Sequence, residues 1–121
     1  MKLTAPLKLL ITAWAMNFFA LCSTHFLTKL DYMKDGIRIS YGEANPIMAF
    51  AMQYNLQWTF HIALWVVLFL VFFRFERKDE SYFTLISKRK YLFLFSGIIF
   101  IHLGLDFLND LYWFLLELGF L

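Results

Sequence analysis

The chain reads as an all-α, polytopic membrane protein, with three transmembrane helices and a short interfacial helix before the second. Three observations predict this. Of 121 residues, 61% are hydrophobic and 21% aromatic, with Phe alone occurring 16 times. Soluble domains run at roughly 45–50% apolar. A soluble fold of this size leaves too much of its surface in water to hide that excess, and disordered chains are poor in the same residues. Charges are sparse, at 17% with a net of +2, and they separate long uncharged runs. The length holds three runs of roughly 20 residues, each enough for a bilayer core, and little else. In lipid, only a helix satisfies every backbone polar group within one segment.

The first helix is expected over about residues 9–33. Residues 9–28 carry no charge and lie between Lys8 and Lys29. Asp35-Gly36 reads as its stop. The run is longer than a cleaved signal core and no small-x-small site closes it, so the helix is expected to be retained. Phe19-Ala20-Leu21-Cys22 distantly suggests a lipoprotein site, with Leu21 a poor residue before such a cut. Cys22 is the single cysteine, so no disulfide forms within the chain.

The loop at about residues 34–55 follows. Ile37-Arg38-Ile39-Ser40-Tyr41 alternates as a short extended or interfacial segment does, and Gly42 permits a turn. Asn45-Pro46 reads as an N-cap followed by proline at the first helical position. A helix from Pro46 to Phe73 would be about 42 Å long, too long for an upright span. A short interfacial helix over about 46–54, a bend near Asn55 and a second span over about 56–73 therefore fit better. The third span is expected over about 91–116. Tyr41, Tyr54, Trp58 and Trp113 would form an outer aromatic belt.

Lys and Arg set the orientation. The amino-terminal side and the basic loop at 74–90 carry eight of them; the first loop and the tail carry three. The amino terminus is thus expected in the cytoplasm and the carboxyl terminus outside. Arg74, Arg77, Lys78, Lys88, Arg89 and Lys90 serve as a topology signal. They also suit anionic lipid head groups, at about 1 kcal/mol per basic residue near the surface. The mild basicity, with pI near 8.7, is no nucleic-acid footprint, which needs a concentrated basic face.

Ionisable groups inside a span are costly and mark function or helix contacts. On the third helix His102, Asp106, Asn109, Asp110, Trp113 and Glu117 form one stripe. Gly97 and Gly104, seven apart, mark a close-packing face. The first helix carries Asn17, Thr24, Thr28, Asp31 and Asp35 on one stripe, with His25 on its flank. The second carries Gln57 and His61 one turn apart. All three histidines thus fall in the outer half of the bilayer. A structural polar network is the simplest reading. A divalent metal held by His25 and His61 with Asp106 or His102 is a second. Proton or ion handling through His102, Asp106 and Asp110 is a third. Catalysis by a carboxylate or histidine base is a fourth, without a paired nucleophile at a telling spacing. A metal, a haem and no cofactor at all are each compatible with these residues.

Asp31 together with Glu43-Ala44-Asn45-Pro46-Ile47-Met48 resembles an uncharacterised family of small prokaryotic membrane proteins. That family has three to four hydrophobic helices, an aspartate ending the first and a Glu-Ala-Asn-Pro-Leu-like motif before the second. The resemblance covers about residues 15–75. The family's threonine shortly after the aspartate is replaced here by Met33-Lys34-Asp35. The resemblance implies the architecture, a prokaryotic inner-membrane location and weight on Asp31, Glu43, Asn45 and Pro46, but no reaction. Physically, Asn45 caps a helix while Glu43 sits near its positive end. His102 followed by Asp110-Leu111-Tyr112 is also loosely similar to the haem histidine and Asp-Tyr pair of succinate dehydrogenase-type three-helix anchors. There a further helix follows that stretch.

No phosphate loop, zinc-ribbon spacing or serine elbow occurs, and no catalytic residue is assigned. The expected function is a non-catalytic accessory or assembly subunit of a larger membrane complex, partnered by lipid and by other membrane subunits or copies of itself. A metal-, haem- or proton-handling subunit built on His25, His61, His102, Asp106 and Asp110 is the alternative. An intramembrane hydrolase using Asp31, Glu43 and Asp106 comes third.

Overall fold

The computed structural model describes residues 3–42 and 45–121. In chain order it contains α1 (Ala5–Thr28), β1 (Asp31–Lys34), β2 (Ile37–Ser40), α2 (Pro46–Gln53), α3 (Gln57–Glu76), a 3-10 turn (Glu80–Tyr82) and α4 (Lys88–Leu118). Helices α1, α3 and α4 are long and apolar enough to cross a membrane. The chain is mostly helical but not all-α, because a two-stranded antiparallel sheet follows α1.

Helix α1 begins one turn earlier than the charge pattern predicts. Thr4 is extended at the N-cap and Pro6 occupies the first turn, where a missing N–H costs nothing. The helix then stops at Thr28 instead of near residue 33. The cause is the dipeptide read as its stop signal. Asp35 (φ 53°) and Gly36 (φ 79°) are both left-handed, as a two-residue type I′ hairpin turn requires. Asp31–Lys34 therefore pairs with Ile37–Ser40, Lys34 facing Ile37 and Asp31 facing Ser40. Arg38 lies diagonal to Asp31 on one face and grips its carboxylate with two bonds of 2.9 and 2.8 Å.

Helix α2 is built at both ends as its sequence implies. The Asn45 side-chain oxygen accepts from the N–H groups of Ile47 (3.0 Å) and Met48 (3.3 Å), and Pro46 takes the first helical position. At the other end Asn55 is left-handed (φ 58°). Leu56 N–H returns to the Ala51 carbonyl at 2.7 Å and Asn55 N–H to Met52 at 3.2 Å, a Schellman closure that turns the chain into α3. Asn45→Ala is expected to weaken the first turn of α2 by ~1 kcal/mol. Amide exchange at Ile47 and Met48 should then run about five-fold faster, and unchanged rates would show that the cap is idle.

Helix α3 runs one turn past its expected end, through Arg74, to a C-cap at Arg77. Basic groups there complement the carbonyl end of the helix. Ser87 caps α4, its hydroxyl accepting from Lys90 N–H at 3.4 Å, and Gly119 (φ 86°) closes it. At ~1.5 Å per residue, the 31 residues of α4 extend about 46 Å, well beyond a ~30 Å hydrocarbon core. Its last turns lie beside the hairpin.

Helix α4 packs most extensively on α1 and also against α3. The buried α1 residues Leu7, Leu10, Ala13, Ala20 and Leu27 recur at helical spacing. The main apolar cluster joins Leu7, Leu10 and Ala13 to Trp65 and Phe72 of α3 and Leu92 of α4. It lies toward the end that carries the basic loop. Of the expected Gly97/Gly104 packing face, only Gly104 lies against another helix among the described residues. A Cβ at Gly97 would meet nothing within 4 Å, and one at Gly104 only the Met16 methyl at 3.8 Å.

Candidate functional site: a polar cavity between three helices

Away from the apolar cluster, α1, α3 and α4 border an open cavity of about 520 Å³. Asn17, Ala20, Leu21 and Thr24 form its α1 wall, spaced three, four and seven residues apart on one helical face. His102, Asp106 and Asp110 form its α4 wall, one turn apart. His61 and Phe60 enter from α3, and Asn45, Ile47 and Met48 from the start of α2. Among the described residues no lysine or arginine lines it. His61 is only 6% exposed, and its Nε2 is buried without a hydrogen-bond partner. Asn17 accepts a 2.8 Å bond from the Trp65 indole N–H. This ties α1 to α3 beside the cavity, a contact worth about 0.6–1.7 kcal/mol between spanning helices.

Four of the five histidine and aspartate candidates thus meet in one place: His61, His102, Asp106 and Asp110. His25 does not line this cavity. Its Nδ1 lies 3.2 Å from Gln57 Nε2, and its ring meets Trp58 edge-on at 6.0 Å. Among the described residues no three His, Cys, Asp or Glu side chains are close enough together to hold a metal ion. The grouping of His25 and His61 with Asp106 or His102 is therefore not assembled. Nor do Asp31 and Asp106 share a site, since Asp31 is engaged by Arg38 on the hairpin. Of the Asp…Glu-Ala-Asn-Pro pattern, Asn45 and Pro46 start α2, while Glu43 and Ala44 lie outside the described residues.

A second constellation carries no sequence signal. Glu117, in the last turn of α4, accepts from the Tyr32 hydroxyl at 2.6 Å through one carboxylate oxygen and from the Tyr41 hydroxyl at 2.8 Å through the other. The hairpin is thereby clamped to α4, and Tyr41 also meets Trp113 edge-on at 6.2 Å. Burial first, and the Glu117 bond second, push the Tyr41 phenol up to about 12. The Tyr32 phenol is raised chiefly by its bond to Glu117. On the hairpin itself, the Arg38 guanidinium holds the Asp31 carboxyl below the usual carboxylate range.

At the opposite end the basic residues divide. Lys88 and Arg89 share a cleft of about 380 Å³ with Glu76 and Glu80, and Glu80 accepts from Lys88 N–H at 3.4 Å. Arg74, Arg77 and Lys78 line a separate hollow. Comparison with protein-family models, curated proteins and solved structures finds nothing that matches this chain.

Proposed function

We propose that the chain is a non-catalytic integral membrane subunit of a larger assembly, with α4 as the helix that meets its partner. Helices α1, α3 and α4 are the spans, and α2 lies at the interface on the hairpin side. The excess of Lys and Arg at the opposite end supports a cytoplasmic position for it. One observation carries the reading. His102 and Asp106 flank the midpoint of α4, and both, with Asn109 one turn on, remain exposed. A charged aspartate at the centre of a spanning helix costs about 2.5–3.5 kcal/mol in lipid. His102 and Asp106 line the cavity between the helices yet stay exposed there, and such groups call for another span or for water against them. Support comes from the open space beside Gly97, because small residues let helix backbones approach closely.

Extracted in native nanodiscs, the protein is expected to carry a second membrane chain or a second copy. A photo-crosslinker placed at Ile101 or Leu105 should capture it. The paired change His102→Leu and Asp106→Leu should release the partner while leaving the chain inserted. A lone 14.5 kDa chain in nanodiscs from its native membrane would overturn the proposal.

A further inference from the structure

Two neighbouring hollows on the outward side of α3 share the side chains Leu70 and Phe73. The first, about 480 Å³, is apolar and aromatic; Trp14, Trp65, Val66 and Phe69 line it with Leu70 and Phe73. The second, about 550 Å³, is lined by Arg74, Arg77 and Lys78, again with Leu70 and Phe73. Adjoining at those two side chains, they form a slot-like surface that is apolar along α3 and cationic at its end. No carboxylate among the described residues lines the cationic part. The ion pair present among the described residues, Arg38–Asp31, lies on the hairpin. Lys78 is held with its Nζ 5.3 Å over the Tyr82 ring. The other basic cleft differs, since Glu76 and Glu80 face Lys88 and Arg89 there.

The apolar hollow follows α3 from Trp58 to Phe73, about 22 Å of helix, so its part nearest the basic residues is long enough for one lipid leaflet. Half of a ~30 Å core is about 15 Å, or about ten helical residues. Counting back from Phe73, that depth includes Leu70, Phe69, Val66 and Trp65. We propose that the slot holds one anionic phospholipid. Its phosphate sits among Arg74, Arg77 and Lys78, and an acyl chain lies along Trp65, Val66, Phe69 and Phe73. A topology signal needs positive charges on that side of the membrane, but it does not need them at the mouth of an apolar slot. The inference is independent of the α4 partner, because it uses the outward side of α3.

The test uses the full chain with Trp113→Phe, so that the remaining indoles are Trp14, Trp58 and Trp65, all of which line the slot. It is reconstituted in phosphatidylcholine vesicles with rising fractions of brominated phosphatidylglycerol, and indole quenching is followed. Anionic brominated lipid should quench at far lower fractions than brominated phosphatidylcholine. Neutralising Arg74, Arg77 and Lys78 to Gln should shift half-quenching by about five-fold per cation removed. The charge-matched Lys88→Gln, Arg89→Gln, Lys90→Gln variant should leave it in place. Val66→Trp, which fills the slot with every charge retained, should lower retention of a single anionic lipid in native mass spectrometry. Equal shifts in the two charge variants would reduce the effect to general surface attraction and overturn the proposal. Equal quenching by the two lipids, or a crosslinked protein span at Val66, would also overturn it.

Discussion

Phe72→Ala is expected to destabilise the helix packing by about 3 kcal/mol, the low end of the range for aromatic truncation in soluble cores. Phe72 is 0% exposed, with Phe73 and Phe95 rings at 5.7 and 6.4 Å and Leu7, Leu10 and Leu92 in the same cluster. The low end is chosen for a physical reason. In water, part of the cost of losing a buried ring is the lost transfer free energy. Within a bilayer the separated helices would place the ring in hydrocarbon, so that part largely vanishes. What remains is the dispersion lost around the new void. Val67, 56% exposed on the same helix, has no such neighbours to lose, and Val67→Ala should be nearly neutral. Steric trapping or unfolding in mixed micelles would measure both. A Phe72→Ala cost below about 1 kcal/mol would mean that the cluster is not tightly packed in the folded protein.

The spans were legible because hydrophobicity over twenty residues is a sum, insensitive to detail. Their ends were less so. Asp35-Gly36 is a helix stop and a hairpin turn at once. The two readings differ only in whether an extended partner follows. Ile37-Arg38-Ile39-Ser40 was that partner, and its alternation was visible. Linking it to Asp31–Lys34 required giving up the last turn of a helix whose residues are equally at home in a helix. The Asn45-Pro46 start and the Asn55 bend depend on one residue's backbone and cap chemistry, and these the sequence states directly.

The candidate site divides the same way. His102, Asp106 and Asp110 share a face through a spacing of four, which any α-helix enforces. His61 joins them only through how α3 packs, which no local pattern encodes. His25 shows the limit of reasoning from depth. Thr24 faces the cavity, and the next residue is turned about 100° away on the helix, toward Gln57 and Trp58. Equal depth did not mean a common site. The Glu117 clamp joins residues 85 and 76 positions apart in sequence. Tyr32 and Tyr41 look like ordinary interfacial aromatics until the hairpin is folded.

Glu117→Gln is expected to loosen that clamp and to bring the Tyr41 ionisation down from about 12 toward the ordinary 10.0. The shift should be incomplete, because burial is the larger cause and survives the substitution. The sign follows from linkage. A phenol raised in the folded state contributes stability that is fully present below pH about 10 and is lost as the pH rises through about 12. Hairpin docking in the wild type should therefore persist to high pH and fail in that interval, and in Glu117→Gln it should already be weakened at neutral pH. Tyrosinate absorbance of the full chain, minus that of Tyr41→Phe, isolates the group. Amide exchange over Asp31–Ser40 reports the docking itself. Tyr41 also stands four residues before Asn45, whose cap starts α2 at the cavity wall. Release of the clamp should thus raise exchange at Ile47 and Met48 as well as in the strands. An unchanged Tyr41 titration in Glu117→Gln would remove the clamp. A shifted titration with undisturbed Ile47 and Met48 would show that the hairpin and the cavity wall move independently.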